Sequence, residues 1–232
     1  QECCKGNAPF VGYSQETVTE SIREIPFIPF QLSMDEISLY DDCVMLACNK
    51  EVRDNCLPFS CGVDDLDDFF FNDADLYAEE LLGKTYCWVT TEAPHRIVAL
   101  FTLSNDSIKT KLMPSNDKNR FQRNIVNPKR GRSYPAVLIG RLGVNRDFQN
   151  SPSHVGRQLM SFIKDWFRHE DNKTGCRFIV VDAYNEDKVL RYYEKNGFVP
   201  LYKTEEIEKQ YYDIPQDEHL KTRLLYFDLK KK

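Results

Sequence analysis

No stretch of this 232-residue chain approaches the ~20 consecutive apolar residues that cross a bilayer. The apolar core of a secretory signal is missing near the start as well. Both absences point to a cytoplasmic protein with no membrane partner. An excess of positive charge is also lacking: the formal charge is −5 and the sequence pI is near 5.5. That balance argues against a protein that coats nucleic acid through net charge alone. Metal-ligand spacing is absent. Cys56 and Cys61 have no second Cys or His pair after them, and the four histidines, at 95, 154, 169 and 219, are far apart, so no metal is expected. Eight cysteines scattered through a chain of this length read as reduced thiols rather than a disulfide framework. Neither Gly-x-x-x-x-Gly-Lys-Ser/Thr nor Gly-x-Gly-x-x-Gly occurs, which removes nucleotide triphosphate hydrolysis and dinucleotide binding by those loops.

What is present is an ordinary globular balance, 41% hydrophobic and 29% charged residues, enough to bury a core. The pattern predicts an irregular arm over 1–40, with a short helix around 33–41, and then one α/β domain over 41–232. A first strand is expected at 44–48 and a loop at 54–62. From Asp64 an acidic opening suits a helix N-terminus, and Leu66, Phe69, Phe70, Ala74, Tyr77, Ala78 and Leu81 recur at helical spacing toward Gly83. Strand-like runs at 85–91 and 97–104 flank a short loop and read as an antiparallel hairpin. Residues 105–133 lack apolar periodicity and hold the one concentrated basic stretch, Lys118, Arg120, Arg123, Lys129, Arg130 and Arg132. Then come a strand (136–145), a helix (155–169), a strand (177–182), a helix (185–196), a strand (198–203) and a last strand (222–228). Strand–helix–strand–helix order implies right-handed crossovers and a parallel central pair, and the early hairpin makes the sheet mixed.

One junction in this order carries chemistry. A strand that ends in a polar loop and feeds straight into a helix delivers unpaired N–H groups and the positive end of the helix dipole to one point. The loop here is Gln149-Asn-Ser-Pro-Ser-His154. Gly156 lets a phosphate approach the backbone, and Arg157 adds a guanidinium suited to it.

The residues around that junction resemble the GNAT superfamily of N-acetyltransferases. Leu142-Gly-Val-Asn-Arg-Asp-Phe-Gln149 followed by Val155-Gly-Arg-Gln-Leu159 is similar to the family's acetyl-CoA signature, Gln/Arg-x-x-Gly-x-Gly/Ala. The run from Asp182-Ala-Tyr-Asn185 to Leu190-Arg-Tyr-Tyr-Glu-Lys-Asn-Gly-Phe198 is similar to its Asn-x-x-Ala…Tyr-Glu-Lys-x-Gly-Phe segment. Two ordered matches are more specific than either alone, and the likeness spans roughly 60–204. One departure matters: Gln149 and Gly156 are seven apart where the family has five, with Pro152 and His154 in place of glycines.

The resemblance implies a single-domain, largely antiparallel mixed sheet with a splayed parallel central pair and helices on both faces. It implies acetyl-CoA as co-substrate. Main-chain groups of Leu142, Gly143 and Val144 would pair with the pantetheine arm as an added strand, and Gln149, Ser153, His154, Val155, Gly156 and Arg157 would cradle the pyrophosphate. Tyr193 occupies the family's general-acid position, with Tyr192 as its neighbouring control. Asn185 either meets the pantetheine or caps the helix. Asp182 and Tyr184 are the candidate bases. The activity implied is acetyl transfer to a primary amine of a small molecule or protein, by a monomer or homodimer. The region around Phe59-Ser-Cys-Gly62 and Leu66-Asp-Asp-Phe-Phe70 is similar to a subgroup that includes toxins acetylating aminoacyl-tRNA. The net charge and the acidic helix weigh against that second reading; a third is a non-catalytic acyl-CoA-binding protein.

Overall fold

The computed structural model describes residues 37–111, 113–126, 128, 133–172 and 174–231. Most of the expected arm therefore lies outside the described residues, and so does the first part of the helix expected at 33–41. Residues 39–41 form a turn instead of a helix end.

Seven strands form one mixed sheet in the order β1-β2-β3-β4-β5-β7-β6. They are β1 (Cys43–Ala47), β2 (Lys84–Thr90), β3 (Ile97–Lys109), β4 (Ser133–Val144), β5 (Phe178–Tyr184), β6 (Val199–Pro200) and β7 (Thr222–Asp228). All neighbours pair antiparallel except β4 and β5. The helices are α1 (Lys50–Asp54), α2 (Asp64–Asp68), α3 (Ala74–Glu79), α4 (Ser115–Gln122), α5 (Val155–Arg168), α6 (Asp187–Lys195) and α7 (Glu205–Tyr212). This is the sheet the sequence predicted, with local differences, among them that the strand expected at 198–203 is reduced to Val199–Pro200. The helix expected from Asp64 is broken by a π-turn at Phe69–Asp73, which sets Phe69 and Phe70 into the core while Phe71 stays exposed. Strand β3 runs five residues past Ser104 to Lys109, and the aperiodic basic stretch after it holds α4. Arg120 of α4 is consumed structurally, donating to the carbonyls of Pro200 and Leu201 and to Asp117.

Period-2 patterning sorts side chains onto two faces. Val137 and Ile139 of β4, with Val181 and Ala183 of β5, pack against Val155, Leu159, Met160 and Ile163 of α5 and Tyr193 of α6. Phe178 and Val180 of β5 point the other way, toward Phe121 of α4 and Tyr202. The next residues on that second face of β5 are Asp182 and Tyr184. Helices on both faces thus cover the sheet, α5 and α6 on one and the α2–α3 and α4 segments on the other.

The parallel pair is short. Strands β4 and β5 pair only from Ala136–Phe178 to Leu138–Val180. Immediately beyond, the β3 register jumps from Leu103–Ile139 to Thr102–Arg141, leaving Gly140 as the extra residue of a β-bulge. A bulge bends its strand and sharpens the twist. Strand β4 diverges from β5 after it, and a gap opens between 139–144 and 181–184.

Candidate active site

A cleft of about 1210 Å³ occupies this gap, lined by the end of β4, the loop after it, the start of α5, the end of β5 and one face of α6. The bulge decides what β4 offers to it. Past Gly140 the alternation is reversed, so Leu142 and Val144 turn their side chains to the α5 face and Arg141 and Gly143 to the other. The Asn145 N–H donates to the Val98 carbonyl, and antiparallel pairs alternate between bonded and non-bonded. Counting back by two, Gly143 and Arg141 spend their main-chain groups on β3. Leu142 and Val144 therefore direct theirs at the gap, an edge that no neighbouring strand pairs among the described residues. Of the three residues expected to pair with an added strand, Leu142 keeps its main-chain groups open, Val144 keeps its N–H while its carbonyl accepts from Gln149, and Gly143 serves differently. A Cβ at Gly143 would stand 3.1 Å from the Cys61 Cβ and 3.2 Å from the Phe70 ring. Glycine lets that loop press against the strand.

The loop into α5 makes a second set of donors. His154 stands at the N-cap of α5, a left-handed residue (φ 50°) whose side chain does not cap the helix. The His154 N–H donates to the Ser151 carbonyl, while the Val155 and Gly156 amides have no backbone acceptor among the described residues before the helix hydrogen bonding starts at Arg157. Open amides at the positive end of a helix form an anion site. Arg157 is exposed on its rim. Ser153 sits behind the turn and is not a lining residue; its carbonyl accepts from Gln158. Gln149 lines the cleft, but its Nε2 donates to the carbonyls of Cys61 and Val144, both at 2.8 Å. It ties the loop down instead of presenting its amide to a ligand.

Gly156 also has a packing reason for being glycine. A Cβ there would lie 3.1 Å from the Tyr192 ring. Tyr192 packs on this bare spot and donates its hydroxyl to the Gly156 carbonyl at 2.7 Å. Tyr192 is thereby used up in joining α6 to α5. Tyr193, about 100° round the helix, is only 6% exposed, lines the cleft, and has no hydrogen-bond partner among the described residues. Burial raises its phenol well above the ordinary range, so it holds its proton at neutral pH.

Asn185 neither caps α6 nor lines the cleft. Helix α6 starts two residues later, and the Asn185 Nδ2 donates to the Leu220 carbonyl at 2.8 Å, pinning the end of β5 to the approach of β7. Asp182 and Tyr184 line the cleft from the face opposite α5. The Tyr184 hydroxyl donates to Asp65 at 3.0 Å, and its phenol is pushed up by desolvation and by that carboxylate. Asp182 makes no hydrogen bond among the described residues, and its carboxyl is raised by desolvation in the cleft wall and by Asp106 nearby.

The second face of the cleft holds residues that sequence reasoning passed over. Asp65 belongs to an acidic helix opening whose charges look alike in one dimension. Arg141 reaches this face only because Gly140 reverses the alternation, and its guanidinium sits 4.6 Å above the Phe69 ring. Asp65, Asp106 and Asp182 have no ion-pair partner among the described residues. No group of three or more His, Cys, Asp or Glu among the described residues could hold a metal, and no helix among them is long and apolar enough to cross a membrane.

Neither a family model nor a curated protein matches the sequence. Solved structures do match in shape. A tyrosine-to-phenylalanine mutant of KacT aligns over 82% of this chain and 96% of its own, with TM-score 0.55 and 16% identity. AtaTR bound with acetyl-CoA aligns over 82% of this chain and 95% of its own, with TM-score 0.55 and 18% identity. AtaT complexed with acetyl-methionyl-tRNAfMet aligns over 82% and 96%, again with TM-score 0.55 and 18% identity. At such identities the likeness establishes the fold: this chain has the architecture of those proteins.

Proposed function

We propose that the chain is an acetyl-CoA-dependent N-acetyltransferase that acylates a primary amine by direct attack on the thioester. One observation carries this reading: a buried phenol without a hydrogen-bond partner among the described residues (Tyr193), open amides at a helix start (Val155 and Gly156) and a strand edge open at Leu142 and at the Val144 N–H line a single cleft. A cofactor with a pyrophosphate, a peptide-like arm and a leaving thiolate needs those three things. A similar fold in AtaTR holds acetyl-CoA.

Acetyl-CoA supplies an acyl group activated as a thioester. The residues of the chain do the rest. The Val155 and Gly156 amides bind the pyrophosphate with the helix dipole behind them, and Arg157 adds charge at the rim. Leu142 and Val144 receive the pantetheine amides along the strand edge. The acceptor comes from the opposite face, where Asp182 takes the proton that the attacking amine loses as the N–C bond forms. Its raised pKa makes it a better base near neutrality than an ordinary carboxylate. Tyr184 is unsuited to that role, because its hydroxyl already donates to Asp65 and its phenol is held protonated. As the C–S bond breaks, Tyr193 gives its proton to the thiolate.

A second reading, acetylation of aminoacyl-tRNA, draws on the similar fold of AtaT in complex with acetyl-methionyl-tRNAfMet. The acidic acceptor face favours a small or protein amine over a polyanion. In the described part of the basic stretch Arg120 is committed to the Pro200 and Leu201 carbonyls, Lys118 and Arg123 are in no ion pair among the described residues, and Lys129, Arg130 and Arg132 lie outside the described residues. Free thiol released from acetyl-CoA separates the readings. Release with members of a primary-amine panel supports the first, release with aminoacyl-tRNA alone supports the second, and no release with either rejects the enzyme.

A further inference from the structure

The turn that aims the Val155 and Gly156 amides contains two left-handed residues, Asn150 (φ 56°) and His154 (φ 50°), and no glycine. Left-handed backbone is disfavoured for residues with a Cβ and persists where surrounding contacts hold it. The contacts here come from two glutamines. Gln158, in the first turn of α5, spends its whole side-chain amide on backbone: Nε2 donates to the Ser153 carbonyl (2.7 Å) and the Ile37 carbonyl (3.1 Å), and Oε1 accepts from the Leu39 N–H (2.8 Å). Ile37 and Leu39 are 3% and 0% exposed, locked into the core beneath α5. Gln158 thus joins the turn to a fixed point of the fold, while Gln149 ties the other end of the loop to Cys61 and Val144.

We infer that Gln158 is a positioning residue for pyrophosphate binding: with Gln149 it staples a glycine-free turn into the shape that presents the α5 amides, and the Ile37–Leu39 segment is the anchor for that staple. The inference rests on the acetyl-CoA reading of the cleft and deepens it. A turn held ready by side chains loses less freedom when the anion arrives, so removing the staple weakens binding without removing any group that touches the ligand.

The test compares coenzyme A with S-acetylpantetheine, which lacks the pyrophosphate and makes no use of the turn. Gln158→Met keeps length and helix propensity and abolishes all three hydrogen bonds. In the full chain, calorimetric titration is expected to show coenzyme A binding weakened by roughly tenfold or more, with S-acetylpantetheine within about twofold of wild type. Coenzyme A binding within twofold of wild type, or an equal loss for both ligands, overturns the inference. Gln158→Ala decides by the same split if Gln158→Met does not fold. Failure of the wild type to bind coenzyme A removes the cofactor reading itself, and the inference with it.

Discussion

The Tyr192 hydroxyl donates to the Gly156 carbonyl at 2.7 Å, and its ring fills the space that a side chain at Gly156 would need. Two adjacent tyrosines are thereby given separate work. Tyr192 bolts α6 to the start of α5, and Tyr193 is left facing the cleft with its hydroxyl unpartnered among the described residues.

Tyr193→Phe is expected to lower kcat by ~10²–10⁴, the range for a positioned acid, while the Kd for acetyl-CoA stays within about twofold. Tyr192→Phe should do the reverse. Losing one buried hydrogen bond costs ~1 kcal/mol of stability, seen as a lower Tm, with kcat nearly unchanged. Steady-state kinetics and thermal unfolding of the two variants, run side by side, check the division of labour. Equal kinetic defects in both would contradict it.

Gly156→Ala places a methyl group 3.1 Å from the Tyr192 ring. Overpacking of this kind costs ~1–3 kcal/mol, and for a chain of this size ~1 kcal/mol lowers Tm by about 2–4 °C. Combining it with Tyr192→Ala should relieve the crowding, so that the second change costs less stability than it does in the wild type. A double-mutant cycle by denaturant unfolding measures this, and strict additivity would count against the contact.

The rate should depend on pH through Asp182. Its carboxyl is raised by desolvation and by the Asp106 carboxylate, and a base must be deprotonated to act. The acid limb of kcat/KM is therefore expected above the ordinary aspartate range. Asp106→Asn removes a like charge, lowers the Asp182 pKa and moves that limb to lower pH. A limb that stays put, or moves up, rules out Asp182 as the titrating base. The same upward shift means that the folded state binds more protons than the unfolded one, so this group's contribution to stability declines as pH rises from the unfolded toward the folded pKa.

Asn185→Ala is expected to leave acetyl-CoA affinity unchanged and to cost ~1 kcal/mol of stability, because its amide holds the Leu220 carbonyl. Calorimetric titration together with a melting curve distinguishes this from a ligand-contacting role.

Much of this was legible in the sequence, for reasons that can be located. Helix α5 and strand β5 have strong periodicity, and the polar loop between Gln149 and Val155 stands out by its place between strand and helix. Roles set by a neighbour far along the chain were not legible. The packing role of Gly156 appears only when Tyr192, 36 residues later, is seen to fill its empty side. Gln149 looks like a ligand until its amide is found on Cys61 and Val144. The bulge at Gly140 leaves no trace in a pattern of alternate residues, yet it opens the gap and turns Arg141 to the face opposite α5. The π-turn at Phe69–Asp73 is invisible for the same reason, since one extra residue per turn breaks a period that surrounding residues still obey.

The central claim is that acetyl-CoA binds with its pyrophosphate at the start of α5. Calorimetric titration of wild type and Gly156→Asp with acetyl-CoA tests it most directly, with Gly156→Ala as the control for crowding against Tyr192. One site per chain is predicted in the wild type, retained in Gly156→Ala within a few-fold, and weakened by roughly 100-fold or more in Gly156→Asp, where a carboxylate opposes the phosphates. Equal affinity in Gly156→Asp and Gly156→Ala would contradict the placement.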